Sequence, residues 1–222
     1  MAGLKSMSGP VKIDLEKAKR AQVLIAGKVV EKDGFSWPPR LVGGVDVAFK
    51  GDTAIGAAVV LRFGDLGVVD RAFCVRTVRV PYIPTFLAFR EVAAMVEAVR
   101  RLRARPDVVL VDAHGKLHPR KAGEATHLGV VLDIPTVGVA KSHLVGTVRD
   151  DGYVVYRGEV LGYRLETGVY VSVGHRVTLE TAIKLVRQVT RYSIPEPTRQ
   201  AHIYANELRR RLDELRGSST LL

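Results

Sequence analysis

The chain has 222 residues, a single cysteine (Cys74), 34 Lys plus Arg against 23 Asp plus Glu, and a formal net charge of +11. An apolar share of 47% and a charged share of 26% exclude a wholly disordered chain, and one cysteine excludes a disulfide scaffold or a Cys-cluster zinc site. No apolar run approaches the roughly 20 residues that span a bilayer, and the first ten residues hold no apolar core of signal-peptide length. These features predict a reduced, soluble, cytoplasmic protein with no membrane contact, read as a monomer and as one domain over 1–222. The basic surplus suits nucleic acid, with Arg100, Arg101, Arg103 and Arg105 in one cluster and Arg209, Arg210 and Arg211 in another. Solvated arginine faces of a heat-adapted surface are the alternative.

In chain order, the first predicted element is a helix over 14–33, with Asp14 and Glu16 at its positive end. A loop carries Gly34 and Pro38-Pro39. Three strand-like runs follow, over 41–49, 53–63 and 67–80, separated by Lys50-Gly51-Asp52 and Gly64-Asp65-Leu66, which reads as an antiparallel meander. A helix over 85–103 leads to a buried strand over 107–112, a helix over 120–132 and a strand over 136–140. This alternation calls for parallel crossovers. Runs over 152–156, 160–165 and 169–173 form a hairpin region. Helices over 179–191 and 199–216 close the chain, with Pro195, Pro197 and Thr198 starting the last, and the tail 217–222 is expected to fray. Trp37 and Cys74 read as packing residues. The pattern predicts an α/β fold of ribonuclease-H-like type: a mixed central sheet, antiparallel meander plus parallel strands, flanked by helices.

Three carboxylates stand out against this background. Asp46 interrupts the apolar run Leu-Val-Gly-Gly-Val-Asp-Val-Ala-Phe, where an acid is costly unless paired or metal-bound; a solvent-facing position on a half-exposed strand is the alternative. Asp112 ends Val-Val-Leu-Val-Asp, at the strand end where open α/β sheets place ligands, unless it is a turn residue. Glu91 shares a helix side with Met95, Ala98 and Leu102, beyond the first turn where the helix dipole favours an acid. Oxygen donors of this kind select Mg²⁺ or Mn²⁺, which polarise phosphodiesters and activate water. Zinc on Asp112, His114 and His118 is disfavoured, because Gly115 and Pro119 break any helical spacing.

Around these acids lie His118, able to orient or protonate an oxygen or simply to cap a turn, and Lys141, able to neutralise a phosphate or to sit solvated at a strand end. His114 reads as a loop histidine and His127 as a mid-helix one. Pro81-Tyr82-Ile83-Pro84 is a stiff segment that holds Tyr82 and Ile83 outward as a wedge for unstacking bases, or else packs Tyr82 on the core. His202 lies one step off the Ala201, Tyr204, Leu208, Leu212 stripe.

Six ordered pieces carry a family resemblance: Gly-Val-Asp-Val-Ala-Phe (44–49), Pro-Tyr-Ile-Pro-Thr-Phe-Leu-Ala-Phe-Arg-Glu (81–91), Val-Asp-Ala-His-Gly-Lys-Leu-His-Pro-Arg-Lys-Ala-Gly (111–123), His-Leu-Gly (127–129), Pro-Thr-Val-Gly-Val-Ala-Lys (135–141) and Pro-Glu-Pro-Thr-Arg-Gln-Ala-His (195–202). Together they resemble the endonuclease V family, the deoxyinosine 3′-endonucleases, over about 41–204. The resemblance implies a ribonuclease-H-like catalytic domain and Mg²⁺-dependent hydrolysis of the second phosphodiester 3′ to deaminated adenine in a nucleic acid, inosine-containing DNA or RNA, in DNA repair. By position it implies Asp46, Glu91 and Asp112 as metal ligands, His118 and His202 as site histidines, Lys141 as a phosphate contact and Tyr82 as the strand-separating wedge. It also implies Gly115, Gly123 and Gly138 as small residues around a flipped base. The family usually carries Gly where this chain has Thr85 and Ala113, so side chains there are expected to narrow the base pocket or to displace backbone N–H donors. Two other functions remain open: a non-cleaving nucleic-acid-binding protein, and a ribonuclease-H-like nuclease for RNA or branched DNA.

Overall fold

A computed structural model describes residues 13–212. The elements are α1 (Leu15–Ala26), β1 (Leu41–Lys50), β2 (Thr53–Arg62), β3 (Val68–Thr77), α2 (Ala88–Arg100), β4 (Val108–Val111), α3 (Glu124–Leu132), β5 (Thr136–Ala140), β6 (Thr147–Val148), β7 (Tyr153–Tyr156), β8 (Glu159–Arg164), β9 (Tyr170–His175), α4 (Leu179–Gln188) and α5 (Glu196–Arg210).

The strands form one sheet in the order β3-β2-β1-β4-β5-β9-β8-β7-β6. The meander pairs antiparallel, β1 pairs parallel with β4 and β4 with β5, and β9 returns antiparallel beside β5. This is the mixed α/β sheet expected from the pattern. Central strands covered on both faces need apolar residues without alternation, and β2, buried from Thr53 to Leu61, has that composition. One face packs Val42, Leu110, Val139 and Val173 against α4 and α5; the other packs Val45, Val109 and Val111 against Met95, Ala98 and Leu128 of α2 and α3.

Two glycines bring helices unusually close. A Cβ at Gly44 would lie 2.0 Å from the Pro197 carbonyl oxygen, and one at Gly56 would lie 2.4 Å from that of Ala94. α5 and α2 therefore rest almost directly on opposite faces of the meander.

Several boundaries differ from the expected ones. The first helix ends at Ala26 instead of continuing to 33. Asp14 caps it through Oδ1 to the Glu16 and Lys17 amides, and the chain then leaves to hydrogen-bond beside β9, Arg176 N–H donating to Val30 O at 2.7 Å. α2 starts at Ala88 because Thr85 takes a left-handed φ of 67°, and α3 starts at Glu124 because Lys121 does the same at 53°. α4 stops at Gln188. α5 begins earlier than expected, at Glu196, whose amide donates to Val189 O. The two-residue β6 was not anticipated. α5 ends at Arg210; residues 1–12 and 213–222 lie outside the described residues, and with them the expected helix end at 216 and the tail at 217–222. Trp37 packs edge-on to Phe63, and Cys74 is fully buried, as packing residues should be. Among the described residues, no helix is long and apolar enough to cross a membrane.

Candidate metal and nucleic-acid site

β1 runs on past the end of β4, since Val45 pairs with Val111 while β1 continues to Lys50. Asp46 therefore sits beside Asp112, the first residue after β4, whose amide donates to Val45 O. Gly44 lets α5 close on this edge, and His202 reaches Asp46 with Nδ1 2.7 Å from Oδ2. Ligand atoms of Asp46, Asp112 and His202 lie within 4.8 Å of one another. Two hard carboxylate oxygens and an imidazole nitrogen at that spacing fit a small divalent cation. The Val47 amide also donates to Asp46, at 2.8 Å. Burial, and then the Asp112 charge, push the Asp46 carboxyl above its usual range against the pull of the His202 and Val47 hydrogen bonds.

Asp112 is held from the other side. Lys141, just past β5, meets its Oδ2 with Nζ at 2.5 Å; the lysine side chain is half exposed and the aspartate nearly buried. The parallel strand ends thus deliver an acid and a base to one point.

Glu91 lies next to this group, on α2. Met95, Ala98 and Leu102 are buried below it, as their spacing implied. Its carboxyl, however, is not in the group formed by Asp46, Asp112 and His202. It is hydrogen-bonded to Glu124. Burial raises both carboxyls, Glu124 far above the usual range, and the neighbouring acids add to the effect. Glu124 was not anticipated from the sequence. The signal was present: on α3 it heads the stripe Glu124, Leu128, Leu132, as Glu91 heads its own.

His118 is buried and locked. Its Nε2 lies 3.0 Å from Thr85 O, so that nitrogen carries the proton, and its Nδ1 accepts the Arg120 amide at 3.2 Å. Burial lowers its pKa to about 4. With both ring nitrogens engaged by backbone groups, the imidazole orients the 81–86 segment. Its partner Thr85 is the hub of a clamp. The carbonyl oxygen of Thr85 also accepts Gln22 Nε2 at 2.7 Å and an Arg120 guanidinium N–H at 3.1 Å, and its Oγ1 accepts Arg120 at 2.7 Å. Arg120 in turn donates to Gln22 and stacks on Phe86. The Thr85 carbonyl thus ties α1, the 81–86 segment and the 112–123 loop together, and the hydroxyl absent from a glycine adds one further bond from Arg120.

An open pocket of about 390 Å³ lies between these groups, lined among others by Thr85, Asp112, Ala113, Glu124 and Lys141. Tyr82 stands at its edge, 68% exposed, so it does not pack on the core. Ile83 is half-buried next to it. Gly123 lines the pocket. Gly115 and Gly138 are not among its lining residues. A Cβ on Gly138 would meet Gly115 N at 2.3 Å, and one on Gly115 would meet Val173 O at 2.1 Å, so these two let backbone pack on backbone. His114 hydrogen-bonds to Ser142 O through Nε2, and His127 lies edge-on to Phe89; burial lowers each to about 4.

The endonuclease V family profile matches residues 24–203. The chain belongs to the endonuclease V family. Endonuclease V of Thermofilum pendens is 50% identical over 207 residues, covering 88% of this chain and 89% of that protein. The catalytic domain of human endonuclease V superposes with a TM-score of 0.84 at 36% identity, covering 93% of this chain and all of that one. Ciona intestinalis endonuclease V, solved with a 24mer DNA containing an inosine followed by a ribo-adenosine, gives 0.82 at 28% identity over 89% of this chain and 98% of its own. The chain is an endonuclease, a hydrolase of nucleic acid.

Proposed function

We propose that this endonuclease V hydrolyses, with Mg²⁺ or Mn²⁺, the second phosphodiester 3′ to a deaminated adenine in DNA, as a cytoplasmic repair enzyme. The observation that carries this reading is the convergence of Asp46, Asp112 and His202 donor atoms within 4.8 Å, with Asp112 also lining an open pocket. The inosine-containing DNA bound by the Ciona relative supports the substrate.

Asp46, Asp112 and His202 would hold the cation, with Glu91 close behind. A bound divalent cation offsets phosphate charge and makes water a better nucleophile. Around it the residues divide the work. The Asp46 carboxylate is aimed by the Val47 amide, with the His202 ring beside its other oxygen. Lys141 uses one of its three N–H donors on Asp112 and offers the rest to a phosphate or to developing charge. Tyr82 and Ile83 wedge the strand, and the pocket floored by Gly123 takes one base; its volume lies in the roughly 300–1,000 Å³ of small-ligand sites. His118 and Arg120 keep the wedge segment in place through Thr85. Water supplies the nucleophile, and no covalent intermediate with the enzyme forms.

The test is a panel of single-inosine DNA duplex, single-inosine RNA and branched DNA, with and without chelator. We expect a metal-dependent nick on the 3′ side of inosine in DNA and none from Asp46→Ala. No nick from the wild type, or an undiminished nick from Asp46→Ala, rejects the reading. Tight binding without cleavage supports a non-cleaving binder instead, and preferred cutting of the RNA or the branched DNA supports that substrate.

A further inference from the structure

The four acids at the strand ends fall into two groups with different surroundings. Asp46 and Asp112 are each partnered by a basic side chain, His202 and Lys141 respectively. Glu91 and Glu124 hydrogen-bond to each other, and the Arg90 charge eases the Glu91 carboxyl less than burial opposes it. Arg90, the nearest base to Glu91 along the chain, stacks over Phe49 and donates to Val80 O. Glu124 is 94% buried by its 6% relative exposure, and its Oε2 is buried with no hydrogen-bond partner. The side chain is also aimed into the site: it contacts Glu91, feels the charges of Asp46 and Asp112, and lines the pocket that Asp112 lines.

Two touching carboxyls in a buried setting are unfavourable unless something positive lies between them. One shared proton joins one oxygen of each and leaves Glu124 Oε2 unsatisfied. A hard cation uses several carboxylate oxygens at once, and Mg²⁺ is commonly bound by one or two carboxylates with water completing its shell. Glu124 also heads α3, with Gly123 as the extended residue before it, so its backbone is fixed by the helix.

We propose that Glu124 and Glu91 form a second divalent-cation seat, separate from the one made by Asp46, Asp112 and His202. This rests on the reading of the chain as a metal-dependent nuclease, and it names Glu124 as a metal-binding residue of that site. It gives Glu91 a different role from that of third ligand to a single ion.

The experiment counts ions without catalysis. Mn²⁺ is titrated into the full chain in the absence of nucleic acid and bound metal is read by calorimetry and by electron paramagnetic resonance. The wild type binds two ions per chain. Glu124→Gln, which keeps shape and removes the charge, binds one, and Glu124→Leu also binds one. A single ion in the wild type, two in Glu124→Gln, or loss of both ions from a folded variant overturns the proposal. A Mn²⁺-soaked crystal of the wild type keeps the test independent of variant folding: an anomalous peak touching both Glu91 and Glu124 is expected, and its absence overturns the seat. Nicking of the inosine duplex is scored separately. Two ions with no nick rejects the proposed function and keeps the seat; a nick with one ion does the reverse.

Discussion

The two ends of the parallel strands use polar groups in opposite ways. At the amino ends, carboxylates close the backbone. Asp107 accepts the Arg40 and Leu41 amides at 2.7 and 2.9 Å, and Asp70 accepts those of Arg103 and Ala104 at the same distances. At the carboxyl ends, four acids converge, and the buried side-chain atoms without a hydrogen-bond partner among the described residues all fall in 114–127: His114 Nδ1, Glu124 Oε2, Thr126 Oγ1 and His127 Nε2. Buried polar atoms are nearly always satisfied within a fold. One end spends its charge on holding the chain; the other keeps charge and hydrogen-bonding capacity for something outside the chain.

The largest expected effect separates these uses directly. Asp112→Asn removes a charge from the cation site, and losing several kcal/mol of charge stabilisation lowers the nicking rate by about 10³ or more. Asp107→Asn leaves the rate within about threefold and lowers stability by roughly 1–2 kcal/mol through two weakened charge-assisted hydrogen bonds. Single-turnover nicking and a melting curve on both variants check this; an inactive but fully stable Asp107→Asn breaks the contrast.

Next in size is the clamp at Thr85. Arg120→Ala removes donors to both Thr85 oxygens and leaves a non-glycine residue at φ 67° with less to hold it there. The wedge segment loosens, so affinity for inosine DNA falls about tenfold, near 1.4 kcal/mol, while the rate at saturating substrate changes little. An equal loss in both quantities rejects a positioning role.

A smaller effect belongs to Asp70. Burial works against its charge, but the Ala104, Arg103 and Arg71 amides outweigh that and hold the carboxyl below its usual range. A depressed folded pKa gives stability that is present above the unfolded value of about 3.9 and is lost as pH falls through the folded one. Asp70→Asn therefore costs about 1 kcal/mol or less at pH 7, given its exposure, and melts like the wild type near pH 2. A deficit that persists unchanged at acid pH contradicts this origin.

The sequence made some of the site legible and hid the rest for identifiable reasons. Asp46 and Asp112 could be read because each breaks an apolar strand locally, and the meander and crossovers followed from periodicity and turns. The partnership of Asp46 with His202 could not. It depends on α5 pressing on β1 where Gly44 has no side chain, a contact between residues 44 and 197 that no local pattern encodes. Glu124 could not either: it falls inside the helix expected over 120–132, and the observed start at Glu124 puts an acid at a position the helix dipole already favours, whatever it faces. Only the packing of α3 against α2 puts it opposite Glu91.

The arginine clusters, alike in sequence, are divided by the same two ends. α2 runs antiparallel to β4, beginning near the site at Glu91 and delivering Arg100, Arg101, Arg103 and Arg105 to the amino ends of the strands; Arg101 there is paired with Glu97 at 2.6 Å and bonded to Phe73 O. α5 runs the other way along β1. Pro197 meets Gly44, His202 meets Asp46, Ala205 packs by Ala48 and Leu208 by Ile55. Arg209 lies seven residues beyond His202, about 10 Å further on the side of the site at 1.5 Å per residue. The second cluster therefore lies on the side of the site and the first does not. Replacing Arg209 and Arg210 with Ala should weaken inosine-DNA binding and flatten its salt dependence by about one to two units of slope, at about 0.9 per lost phosphate contact. Replacing Arg100 and Arg103 should leave the slope unchanged. The reverse pattern, measured by binding at several salt concentrations, would mean that nucleic acid wraps around the amino ends, and the division of labour between the two ends of the sheet would fail with it.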